Sequence, residues 1–226
     1  MKLIINGFEN FINFEDEVIN VLEISDAKCF SHIIQTINNK INKIESNEIN
    51  LLDENENEIS MSNNLFMILD IFNIEYNSKK ILDKIYKKIE NQIKFEQDYK
   101  FDKIIDELRK YLISEINELP FEFIMQDSMN ISKLLKNFDL KLDEGCYSSI
   151  LEKLEFLVDL LNYLNIAEIL IIPNLKEFLT DKEVVEFYKY TLYNNIKLLI
   201  IERENKIRYK YEKILKVDKN FNDFIY

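Results

Sequence analysis

Glycine is almost missing from this chain: Gly7 and Gly145 are the only two among 226 residues. Sheets that bind phosphate do so through glycine-rich turns, because only a residue without Cβ lets backbone N–H groups close on the anion. Neither glycine stands in a G-x-x-x-x-G-K-S/T or G-x-G-x-x-G setting, which excludes a nucleotide site of ordinary design. The single histidine, His32, falls inside a helical pattern and excludes multi-histidine metal chemistry. Ser78, Ser148 and Ser149 read as helix starts, so no nucleophile-and-base constellation is visible. The two cysteines, Cys29 and Cys146, have neither zinc spacing nor the numbers for a disulfide framework. Uninterrupted apolar runs, such as the one around Ile169–Ile172, are strand-sized and far short of a membrane span. The opening segment carries one lysine and no long apolar run, so a signal peptide is not expected and the cytoplasm is the expected compartment.

What is present is globular: 47% hydrophobic and 12% aromatic residues. A compact chain of this length buries roughly 70% of its unfolded surface and needs no staples. Asparagine, isoleucine and lysine are abundant, as in proteins from AT-rich genomes, so isolated lysines and asparagines carry little weight. The net charge of −12 argues against nucleic-acid binding by the sum alone. The charge is uneven, however: residues 1–60 hold 4 lysines against 12 acidic residues, whereas residues 203–219 hold 7 basic against 3 acidic. A local field outweighs the sum where cations converge on one surface.

Short apolar or alternating runs at Leu3–Ile5, Phe11–Phe14 and Val18–Ile24 predict a first half-sheet. Asp26 is positioned to cap a helix carrying Ala27, Phe30, Ile33, Ile34 and Ile37 on one face. Strands follow at Ile49–Leu52 and Leu65–Ile71, around a polar turn at Asp53–Glu58. After Asn77 and Ser78, a pair of capping residues, the period changes to helical. Residues 79–96 align Ile81, Leu82, Ile85, Ile89 and Ile93, and residues 98–118 align Phe101, Ile104, Ile105, Leu108, Leu112 and Ile116, ending before Pro120. A shorter helix at 131–138 leads to a strand-like Leu140–Leu142. The last third alternates: helix 147–165, strand Glu168–Ile172, helix 181–194 with a Thr180-x-x-Glu183 capping box, and strand Ile196–Ile201. Two buried-type strands joined by a helix form a βαβ unit, hence a parallel sheet covered by helices. The expected architecture is an α/β head from residues 1–76 and 145–226, with a helical leg of residues 77–144 inserted.

Carboxylates bracket the end of the leg: Glu115, Glu118, Glu122 and Asp127, then Asp139, Asp143 and Glu144. Oxygen donors on irregular backbone suit Ca²⁺; a solvated acidic surface is the competing reading. On helix 79–96, Lys80, Lys84, Lys87, Lys88 and Lys94 occupy about a third of the circumference opposite the apolar stripe. Such a face contacts phosphates or is simply solvated. Lys206–Tyr211 alternates basic and apolar residues as a strand with one charged face would, either toward phosphates or as a guarded edge.

In collinear order over nearly the whole chain, several segments resemble one family, the small adaptation protein of subtype II-A CRISPR systems, in its shorter form. The residues are Val21-Leu22-Glu23, Cys29-Phe30-Ser31, the run Ile68–Ser78, Ile81–Ile85, Leu164-Asn165, Leu170–Asn174 and Phe178–Val184. The resemblance implies a head similar to a P-loop ATPase fold stripped of its Walker motif, with a mostly parallel sheet, plus the helical leg. It further implies a non-enzymatic homotetrameric ring that threads onto free ends of double-stranded DNA. Such a ring binds Ca²⁺ and supports spacer acquisition in antiviral defence, alongside the CRISPR integrase complex and the type II effector nuclease. Glu118 and Glu122 match the family's acidic segment after the second leg helix, and Asp127 follows in a segment a few residues longer here. Pro120 and Phe123 stand where the family tends to be acidic, which implies fewer or weaker ions. No DNA-facing lysine is transferred by the resemblance; Lys80, Lys84, Lys87 and Lys88 are nominated from helix geometry. Two other classes stay open: a protein scaffold of the acquisition complex with no DNA affinity, and a metal-dependent nuclease.

Overall fold

The computed structural model describes residues 1–95, 99–125, 129–145, 147–204 and 207–226, with Tyr99 described by its backbone alone. The chain forms two compact units, one from Met1–Glu75 with Gly145–Tyr226, the other from Tyr76–Glu144.

The larger unit is built on six strands in the order β5-β6-β7-β3-β8-β9: β5 Leu65–Met67, β6 Ile169–Pro173, β7 Lys197–Glu202, β3 Ile19–Ile24, β8 Glu212–Val217 and β9 Asp223–Ile225. All pairs are parallel except β8 with β9. Strand β3 is buried along its whole length, as its near-continuous apolar run requires of a strand covered on both sides. The predicted βαβ unit is β6, helix α7 (Asp181–Tyr193) and β7, with β6 and β7 paired in parallel from Ile169↔Lys197 to Pro173↔Ile201. The capping box forms: Thr180 Oγ1 accepts from Glu183 N, and the Glu183 carboxylate accepts from Thr180 N (2.8 Å).

One difference from the sequence reading concerns the first strands. β1 (Lys2–Ile5) and β2 (Ile12–Asn13) do not join β3; they pair antiparallel with each other, and β1 with β4 (Ile49–Leu52), as a separate three-stranded sheet. Leu3, Ile5, Ile12, Phe14, Ile49 and Leu51 on that sheet, with Ile33 and Ile37 of helix α1 (Ala27–Ile41), share a core with Leu22, Ile24, Leu199 and Ile201. Alternate residues of the central strands, Val21, Leu198 and Ile200, point the other way and are buried too. That face belongs with helix α6 (Ile150–Tyr163) and α7, whose Leu154, Leu157, Phe187 and Tyr188 are fully buried.

Other boundaries moved for local reasons. β5 stops at Met67 because the Asp70 carboxylate accepts Phe72 N (2.9 Å) and folds the chain into a turn. The four-residue helix α2 (Met61–Asn64) precedes β5. α6 starts at Ile150 rather than Tyr147 because Ser149 caps it, accepting from Glu152 N. The turn after β4 and the turn between β8 and β9 are spelled alike, Asp53-x-Asn55-x-Asn57 and Asp218-x-Asn220-x-Asn222. In each, one aspartate oxygen accepts two backbone N–H groups at 2.7–2.9 Å, and Glu56 or Phe221 takes positive φ. Those backbone bonds hold the Asp53 and Asp218 carboxyls below their ordinary pKa range, Asn57 and Asn222 contributing most.

The smaller unit contains α3 (Lys79–Phe95), α4 (Tyr99–Ile116) and α5 (Ile131–Asn137). α3 packs with α5. The strand-like Leu140–Leu142 forms no ladder. Its backbone is satisfied by side chains instead: Tyr86 OH donates to Leu140 O (2.7 Å), and Asn77 both donates to Leu142 O (3.1 Å) and accepts from Leu142 N (2.8 Å). Asn77 is therefore not the cap of α3; the Ser78 carbonyl accepts from Ile81 and Leu82.

Candidate nucleic-acid interface

The turn between β3 and α1, where a phosphate-binding loop would sit, is only Ser25 and Asp26. The Asp26 carboxylate accepts Cys29 N at 2.8 Å, so the helix N-terminus is already met by a negative charge. Part of the basic stretch 203–219 is spent inside its own unit. Lys213 pairs with Glu15 at 2.9 Å and Lys216 with the buried Glu23, so the basic end neutralises part of the acidic beginning. Arg208 lies over the Tyr226 ring at 4.8 Å. The predicted strand from Lys206 is corrected: Lys206 lies outside the described residues, 207–211 is irregular, and β8 begins at Glu212, where a turn closed by Glu212 N to Tyr209 O (3.1 Å) ends.

Helix α3 does set its lysines opposite the apolar stripe. Ile81 is fully buried and Leu82, Ile85, Ile89 and Ile93 are half-buried, while Lys84 and Lys87 are exposed. Lys80 and Lys88 are half-buried. Burial, with Lys84's like charge adding, pushes the Lys80 ammonium down to about 8. Lys94 is bound to Glu90 (2.7 Å), one turn back on the same helix. Lys136 of α5 pairs with Asp83 at 2.8 Å and lies over Tyr86. Lys84 and Lys87 are thus the exposed members of the nominated set.

Glu118 and Glu122 are exposed, in the turn and irregular segment after α4; Asp127 lies outside the described residues. Among the described residues, no group of three acidic, histidine or cysteine side chains comes together as a metal site. Glu118 and Glu122 are oxygen donors of the type Ca²⁺ takes, but they are two carboxylates against the six to eight oxygens that ion requires.

The feature that periodicity alone missed is the state of α4. Its apolar stripe is amphipathic as predicted, yet no described residue of α4 is fully buried: Phe101, Ile105 and Ile116 are half-buried, while Ile104 is 62% exposed, Leu108 44% and Leu112 42%. Beside it, Phe121, Phe123 and Ile124 are exposed as well. An open groove of about 490 Å³ runs along Ile105, Leu108, Leu112, Met125, Met129 and Leu134. Among the described residues no helix is long and apolar enough to cross a membrane, so a bilayer-spanning role for α4 is not the account of this stripe.

Comparison with known proteins agrees with the fold. The structure superposes on the crystal structure of Stu0660 of Streptococcus thermophilus with a TM-score of 0.62, covering 96% of this chain and 75% of that one at 15% identity. Curated relatives are the CRISPR-associated protein Csn2 of Enterococcus faecalis, 26% identical over 92% of this chain and 91% of its own, and that of Streptococcus agalactiae, 25% identical over 75% of each. A family model described as CRISPR-associated protein (Cas_Csn2) matches residues 42–221. With a mostly parallel α/β sheet, an inserted helical unit and a match across most of its length, the chain belongs to the Csn2 family, the adaptation proteins of type II-A CRISPR-Cas systems.

Proposed function

We propose that this chain is a non-enzymatic, ring-forming protein that binds free ends of double-stranded DNA and supports spacer acquisition with the CRISPR integrase complex and the type II effector nuclease. The observation that carries the reading is the part of the α4 stripe left open to solvent, Ile104, Leu108 and Leu112. Fully burying a leucine, isoleucine or phenylalanine side chain contributes about 1.5–3 kcal/mol. A stripe of such residues left in water on a helix of 18 residues therefore favours association strongly. Copies joined through that face form the homotetramer.

Lys84 and Lys87 of α3 supply sequence-independent phosphate contacts, with Lys88 at the margin. Lys80, already partly desolvated, is the weakest contributor of the four. Ca²⁺ held by Glu118, Glu122 and Asp127 would complete its oxygen shell from backbone carbonyls, water or a second copy, and would relieve repulsion among these carboxylates on assembly.

The test uses the full chain, immobilised, with Ca²⁺ present. A linear duplex should be retained and a covalently closed circle of the same sequence should wash through. Retention of the linear form should fall steeply with added salt and with chelator. Equal retention of both forms removes end threading; retention of neither leaves the scaffold reading in its place.

A further inference from the structure

The larger unit buries a polar cluster that the proposed DNA binding does not use. Lys176, in the 3-10 turn Leu175–Glu177 after β6, places Nζ 2.6 Å from Glu212 Oε1, with both side chains at least nine-tenths buried. That contact is an ion pair without a directed hydrogen bond, so the ammonium keeps unused donors. Glu212 is otherwise satisfied: Tyr188 OH donates to Oε1 (2.7 Å) and Tyr209 N to Oε2 (3.2 Å). A second buried carboxyl, Glu202 at the end of β7, accepts the backbone N–H of Lys176 at 3.3 Å.

Tyr209 ties segment 207–211 to this cluster. Its ring meets the Tyr188 ring edge-on (centroids 5.8 Å apart) and lies beneath Lys176 Nζ (5.2 Å), and its hydroxyl donates to Asp181 (2.9 Å). The charged and titratable groups facing Glu202 are Lys176 and Glu177 from the 3-10 turn, Glu212 from β8 and Tyr188 from α7. Glu23, its register neighbour on β3, is neutralised by Lys216. Two buried carboxyls therefore share one buried cation, and charge balances only while one carboxyl keeps its proton.

We propose that Glu202, Lys176 and Glu212 form a one-proton latch that holds segment 207–211 on the sheet while Glu202 is neutral and loosens it when Glu202 ionises. Ionisation adds a negative charge to a site with one cation already engaged. Lys176 is then drawn between two carboxylates and away from Tyr209, and water enters to relieve the excess charge. The segment so released carries Arg208 and Lys210. Burial, opposed by the Lys176 N–H and charge, moves the Glu202 carboxyl up to about 7, which puts the change within the range a cell can reach.

Hydrogen exchange of the full chain tests the latch, read at the amides of residues 208–211, corrected for intrinsic rates and referenced to Ile214 within β8. In the wild type, protection of these amides should fall about tenfold between about pH 6 and pH 8, one proton being tenfold per pH unit at most. In Glu202→Gln it should stay high and flat. A flat wild-type profile, or an equal fall in Glu202→Gln, overturns the proposal. Should the variant not fold, carboxyl ¹³C titration of the wild type decides. A Glu202 resonance that titrates near neutrality together with the Tyr209 ring signals supports the latch. Titration in the ordinary carboxylate range, or without a Tyr209 response, contradicts it.

Discussion

The two units treat amphipathic helices differently. In the larger unit, α6 presents Leu151, Leu154, Leu157, Val158, Leu160 and Leu161, and every one of them is buried. In the smaller unit α4 carries an equally regular stripe, of which Phe101, Ile105 and Ile116 are half-buried and Ile104, Leu108 and Leu112 exposed. Both patterns obey the same 3.6-residue period, so periodicity specifies a face and not what covers it.

Core truncation should separate the units most sharply. Phe187→Ala, at a fully buried site, should cost about 3–5 kcal/mol in denaturant unfolding, whereas Leu108→Ala on α4 should cost under about 1 kcal/mol in the dissociated monomer. Comparable losses at the two positions would erase the distinction.

Next in size is the pH dependence of the larger unit. The folded-state pKa of Glu202 is raised, so between its unfolded value near 4.5 and about 7 the folded state binds more protons than the unfolded. Stability from this group is fully present below the lower value and is lost as pH rises through the upper one, on the order of 3 kcal/mol in all. Glu202→Gln should flatten that part of the stability curve; an unchanged curve would mean the carboxyl is not held protonated.

On DNA, Lys84→Gln with Lys87→Gln should weaken binding and lower the slope of log affinity against log salt by about 0.9 per lysine lost. Lys80→Gln should lower it less. The smallest effect is local: Thr180→Ala removes the capping box of α7 and should cost about 1 kcal/mol, read as a modest fall in melting temperature.

Much of the fold was legible because it rests on local chemistry. The Asp26 and Thr180 caps, the 3.6-residue stripes and the buried runs of β3, β6 and β7 all form where the side chains dictate. What was not legible is non-local. Nothing in Leu3–Ile5 says that it pairs with Ile49–Leu52 rather than joining β3. The β8–β9 hairpin does have a signal in the sequence: its turn, Asp218-x-Asn220-x-Asn222, repeats the spelling of the one at Asp53. The alternation at 206–211 misled because Tyr209 is held by Lys176, Tyr188 and Asp181, partners remote in sequence. Lys80 and Lys84 looked equivalent on a helical wheel, and only burial separates them. The latch residues lay unremarked because 176, 202 and 212 meet only once the sheet is assembled.

The proposed ring requires α4 to be an interface between copies. Sedimentation of the full chain with Ca²⁺ should give a single species of four chains, and Leu108→Asp with Leu112→Asp should reduce it to smaller species that keep the wild-type circular dichroism spectrum. A wild type that sediments as a monomer at micromolar concentration, or a double variant that assembles undiminished, would contradict it.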